Sequence, residues 1–132
     1  MKPKDFDADK YAVVLKKSAD DAFDGAELML RHKKNGYALF WTHVALQRAM
    51  AVIICSETQK MPPWRRDLTR LARFANVKLT KEQRELCTTL NFYHVEGLYL
   101  GFHYPAPSKK ETKALLSRAK EFASSLPNHL AE

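Results

Sequence analysis

From Tyr37 to Cys55 the chain reads YALFWTHVALQRAMAVIIC, apolar almost throughout. Its polar members Thr42, His43, Gln47 and Arg48 fall on one narrow stripe of a helical wheel, with Ser56 just beyond. A helix apolar around most of its circumference is either a buried central helix or a membrane span. The stripe cuts the run short of the ~18 uncharged apolar residues a span needs. The reading is a core helix enclosed by its neighbours. Its polar seam must then find partners, water or a ligand, because a buried polar group without one is costly.

The other segments follow helical periods. Ala12, Leu15, Ala19, Ala22, Ala26 and Met29 recur every three or four residues, an amphipathic helix starting near Asp7 or Asp9. Lys16, Lys17, Asp20, Asp21, Asp24 and Glu27 form its solvated side, and Gly25 suggests close packing against a partner. Arg31 to Lys34 make a basic last turn, and Asn35-Gly36 is read as the stop. The second helix then runs back antiparallel. Pro62-Pro63 ends it, and Asp67 to Phe74 predicts a short third helix. Thr80 to Gln83 is a capping box opening a fourth helix that runs to about Leu100. Leu79, Leu86, Leu90, Tyr93 and Gly97 mark its buried side, with Asn91, His94 and Leu98 on an adjacent face. Pro105 and Pro107 end that segment, and Ser108 to Glu111 is a second capping box. It opens a fifth helix with Leu115, Ala119, Phe122 and Leu126 inward. No period-two pattern, repeat or long linker appears. The fold class is all-α: an antiparallel up-down bundle of four long helices plus one short one. The 132 residues form a single domain, with a flexible lead over 1–6 and a frayed tail over 127–132.

Charge narrows the partners. The formal net charge is +7 and the pI about 9.5, which favours anionic partners such as RNA, nucleotides or an acidic protein. The most basic aromatic-bearing stretch is Trp64, Arg65, Arg66, Arg70 and Arg73. Arginines beside an aromatic suit phosphate contact and base stacking; a solvated helix face with Trp64 anchoring a loop is the plainer alternative. Cys55 and Cys87 lie in apolar helical patterns and read as buried free thiols of a reducing compartment. The N-terminal residues show no apolar signal core, so a cytoplasmic protein is expected. The five histidines and two cysteines have no close ligand spacing, so neither metal nor cofactor is expected. A Gly-rich phosphate loop is missing as well.

The order of these pieces resembles the HEPN domain (higher eukaryotes and prokaryotes nucleotide-binding), over about Tyr11 to Leu130. Ala19-Asp20-Asp21 and Ala26-Glu27-Leu28 resemble its first helix. Tyr37-Ala38-Leu39-Phe40 leading into His43 to Ala49 resembles its second, where an acidic residue is common at the position of Gln47. Pro62-Pro63 followed by Asp67-Leu68 and Leu71 is similar to the family's Pro, His-Asp-Leu, Leu pattern, with Arg66 in place of the His. An Arg-Tyr-Pro element is common near the end of the family's fourth helix. It can be aligned with Gly97-Leu98-Tyr99-Leu100 or with Phe102-His103-Tyr104-Pro105, and both lack the arginine.

The resemblance implies one of two roles. Many members are metal-independent RNA endonucleases that pair an Arg with a His about four to six residues later, across a homodimer interface; the His does acid–base work and the Arg stabilises phosphate charge. No such spacing exists here around His43, His94, His103 or His129. Other members are small bundles paired with a minimal nucleotidyltransferase in toxin–antitoxin-like modules. The expected function is therefore a homodimeric, non-catalytic module binding a nucleotide, RNA or a nucleotidyltransferase partner. The groove expected for it is lined by His43, Gln47 and Arg48 on the second helix and Asn91, His94 and Tyr99 on the fourth, with Trp64, Arg65 and Arg66 at the rim. A divergent ribonuclease using His94, Glu96 and His103, with charge from Arg48 or from Arg65 and Arg66, is the alternative. His94 and Glu96 are two positions apart, so a straight helix does not put them on one face. A protein-interaction scaffold without a nucleic-acid role is the third reading.

Overall fold

A computed structural model describes residues 6–99 and 107–127. Five helices follow one another: α1 (Ala8–Arg31), α2 (Asn35–Thr58), α3 (Leu68–Phe74), α4 (Lys81–Tyr99) and α5 (Lys109–Ser125). No strand occurs among the described residues. Residues 1–5 of the expected lead, residues 128–132 of the expected tail, the helix end at Leu100 and the motif alignment over 102–105 lie outside them.

α2 is the centre of the bundle. It packs along α1 and also meets α3, α4 and α5. Leu39, Leu46, Met50 and Ile53 on α2 are fully enclosed with Ala26, Leu71, Leu90 and Ala119 from its neighbours. Among the described residues α2 is the one helix long and apolar enough to cross a bilayer, over all of Asn35–Thr58. The polar stripe therefore does not exclude a span by composition. Burial separates the cases: 72% of the apolar window is covered by other helices.

Local chemistry set the helix starts. Asp7 caps α1 by accepting from the Lys10 amide, and Asp67 caps α3 by accepting from the Thr69 amide. The Thr80–Gln83 box closes in both directions, at 2.9 and 3.1 Å. At the second box the Ser108 hydroxyl accepts from the Glu111 amide and donates to its carboxylate.

Two expectations about the α1–α2 region are corrected. Asn35 and Gly36 do not stop α1; they are the first residues of α2. The chain reverses at Lys33, with φ 61°, and the Lys34 amide reaches the Met29 carbonyl to close the end of α1. Gly25 is not a close-packing point either, since a Cβ built there meets nothing within 4 Å. Gly25→Ala should then stabilise the protein by about 1 kcal/mol through helix propensity alone. A thermal melt should rise by roughly 4 °C; an unchanged or lower midpoint would show that something packs on that spot.

Candidate functional site

The seam of α2 faces the loop that leads into α3. Pro62 and Pro63 hold this loop out of helix, so its carbonyls have no intrahelical partners. Two successive carbonyls are taken by α2. Gln47 Nε2 donates to the Arg65 carbonyl at 2.9 Å, and His43 Nε2 donates to the Arg66 carbonyl at 2.7 Å. Gln47 and His43 are one turn apart, so a single stripe of the helix grips two neighbouring residues of the loop. The guanidinium groups of Arg65 and Arg66 are left outside. Arg65 lies over the Phe74 ring at 5.6 Å. Arg66 lies over the Tyr99 ring at 5.8 Å and donates to its hydroxyl at 2.9 Å.

Beneath Arg66 three rings stack. His94 of α4 lies between Phe40 and His43, with centroids 4.8 and 4.0 Å away and planes within 19° of parallel. His43 is fully buried and His94 is 7% exposed. Because the Arg66 carbonyl can only accept, His43 carries its proton on Nε2. Its Nδ1 and that of His94 are buried with no hydrogen-bond partner. Burial, which strips the imidazolium of its solvation, and then the neighbouring His94 hold the His43 pKa down to about 4 against the Arg66 carbonyl, Asn91 and Asp67, which pull it up. Burial and then the Arg66 guanidinium lower the pKa of His94. Both rings are therefore neutral at pH 7.

Asn91 staples α4 to the start of α3. It accepts from the Leu68 amide and donates to the Asp67 carboxylate, each at 3.0 Å. Burial works against ionisation of Asp67, but hydrogen bonds from Thr69 and Asn91 and from the backbone amides of Thr69 and Arg70 outweigh it, and its pKa is lowered.

The structure divides the groove expected from sequence into separate places. His43, Asn91 and His94 form the buried stack and its brace, with no open face on His43. Arg66 and Tyr99 form one exposed pair above it. Gln47, Arg48 and Trp64, with Tyr11, Val14 and Trp41, instead line a groove of about 520 Å³ that borders the stack at Phe40. There Arg48 donates to the Ser18 carbonyl of α1 at 3.2 Å. Arg65 turns to α3 and lines a pocket with Arg70, Arg73 and Phe74. Of the trio expected in a nuclease, Glu96 is buried beside Tyr93, whose pKa is raised by burial, Glu111 and Glu96. Its Oε2 has no hydrogen-bond partner, and His94 faces the α2 stack instead. His103 lies outside the described residues.

Sequence reading missed three contributors. Phe40 supplies the outer ring of the stack, Asp67 fixes Asn91, and Phe74 backs Arg65. Only Asp67 had a local signal, its capping position. The two cysteines are buried free thiols as expected, and the pKa of Cys87 is pushed up to about 12, chiefly by burial. No group of three metal-ligating side chains occurs among the described residues.

An all-α bundle wound around one apolar helix, with a short basic helix inserted before the third long one, defines the class of protein. The family model for the HEPN domain matches residues 12–129, most of the chain, and the chain belongs to that family. No curated protein and no solved structure matches it.

Proposed function

We propose that this HEPN protein is a homodimeric, non-catalytic module that binds a nucleotide, RNA or a minimal nucleotidyltransferase partner in a toxin–antitoxin-like system, with RNA or a nucleotide as the ligand the site supports best. Family membership supports a nucleotide- or RNA-related role. The observation that carries the reading further is the double grip of Gln47 and His43 on the Arg65 and Arg66 carbonyls. A core helix spends its scarce polar residues on presenting two arginines outward. Arg66, backed by Tyr99, then offers charge and a stacking ring together, which suits a phosphate with an unstacked base. The α1–α2 groove, with Val14 64% and Trp64 45% exposed, is the apolar surface we assign to the homodimer.

The test is a salt series of binding to a fluorescent single-stranded RNA. Log affinity should fall linearly with log salt, and Arg66→Ala should weaken binding and reduce the slope by about one. Salt-insensitive association, or none, would remove the RNA reading and leave a protein-interaction scaffold.

One observation favours a divergent ribonuclease as the second reading. Folding brings Arg66 close enough to His94 to lower its pKa, although the two are far apart in sequence. A neutral histidine beside an arginine could accept a proton while the arginine holds phosphate charge. RNA cleavage in excess chelator, abolished by His94→Ala and by Arg66→Ala, would establish it. Intact RNA after prolonged incubation would leave the binding module.

A further inference from the structure

The pocket on α3 has no part in the stack or in the Arg66–Tyr99 pair. Arg70, Arg73 and Phe74 share the face of α3 opposite its buried Leu68, Leu71 and Ala72, and Arg65 closes over them from the loop. All four side chains are exposed, Phe74 by 49%. Ion pairs among the described residues join Lys16 to Asp20 and Lys120 to Glu27, and none of the described carboxylates pairs with these arginines. Asp67, the nearest acid in sequence, is committed to Thr69 and Asn91 on the α4 side. Arg70 and Arg73 are one turn apart, where like charges repel by a few tenths of a kcal/mol. Three guanidinium groups without a carboxylate partner among the described residues, one of them over an exposed aromatic ring, make an arrangement that an anion with a planar group would complete.

We infer that Arg65, Arg70, Arg73 and Phe74 form a site for the terminal phosphate monoester of a nucleotide, free or at an RNA end, with the base against Phe74 and the Arg65 guanidinium. This rests on the reading that the protein handles nucleotides, but it uses different residues. The charge argues for a monoester, whose dianion meets three cations better than the single charge of an internal diester. The ring argues for a nucleotide over inorganic phosphate or an acidic peptide, since arginine and phenylalanine faces both stack on bases. The pocket, about 360 Å³, is at the small end of ligand clefts and fits one nucleotide rather than a track for a strand.

The experiment is calorimetric titration of the full chain with adenosine monophosphate, adenosine and inorganic phosphate. The monophosphate should bind more tightly than either fragment. The exposed Arg70→Gln/Arg73→Gln double variant should lose at least about tenfold, the difference one lost charge-assisted contact makes. Phe74→Leu should weaken the monophosphate and leave phosphate unchanged. Competition by a 5′-phosphorylated but not a 5′-hydroxyl oligonucleotide would identify an RNA end, and exclusion of both a free nucleotide. Equal affinity for phosphate and monophosphate, indifference to the double variant, or stronger competition by a polyglutamate peptide would overturn the site. RNA binding that depends on Arg66 while the double variant changes nothing would sink this site and keep the proposed function. The converse pattern would keep this site and the nucleotide-handling role and remove Arg66 and Tyr99 from it.

Discussion

His43→Ala is expected to cost about 2–4 kcal/mol of stability, because it combines two losses. The imidazole is fully enclosed between His94 and the loop before α3, so its removal leaves a void under the stack. It also strips the Arg66 carbonyl of its donor. The second loss reaches function, since the backbone around Arg66 is then pinned only at its neighbours, by Gln47 and Asn91, and Arg66 itself keeps only its side-chain bond to Tyr99. A urea melt should show the lower midpoint, and RNA affinity should fall under conditions where the variant is still folded. His43→Gln separates the terms: its amide can donate to the same carbonyl, so it should recover part of the stability. A His43→Ala protein as stable as the wild type would mean that the ring bears no load.

The second large effect is on pH. An ordinary histidine has a pKa near 6.5, whereas buried His43 has one of about 4. Between these values the unfolded chain takes up a proton that the folded chain refuses. Stability therefore declines as pH falls from 6.5 to 4, at up to about 1.4 kcal/mol per unit for this group, and levels off below. The integrated loss is on the order of 3 kcal/mol. His94, also depressed by burial and by Arg66, adds to the decline in the same direction. Asp67 acts in a lower window: its folded pKa lies under 3.8, so its contribution is present above that value and is lost only as pH falls past it. Denaturation midpoints measured from pH 7.5 to 4 should hold down to about pH 6.5 and then fall in the wild type, and fall less steeply in His43→Gln. A flat profile would mean that the imidazoles are solvated or paired.

Much of the bundle was legible before any coordinates. Helix periodicity and caps report on contacts within three or four residues, so Asp7, Asp67, Thr80 and Ser108 mark true starts. The Tyr37–Cys55 run had to be enclosed because that much apolar surface cannot face water, and its seam had to be answered because buried donors need acceptors. The reversal after α1 was misplaced by two or three residues. Asn-Gly is the stronger turn signal, yet Lys33 took the left-handed position once α2 packed from Asn35 onward.

What answers the seam was beyond the sequence. His43 and Gln47 meet residues 23 and 18 positions away, and the Phe40–His43–His94 stack joins two helices that only the fold brings side by side. The direction in which Arg65 and Arg66 part, one to Phe74 and the other to Tyr99, depends on how the loop is pinned. Pattern along a chain fixes which faces must be covered, because burial energy is additive and local. Which neighbour covers them is a property of three-dimensional packing, where partners are chosen by distance in space.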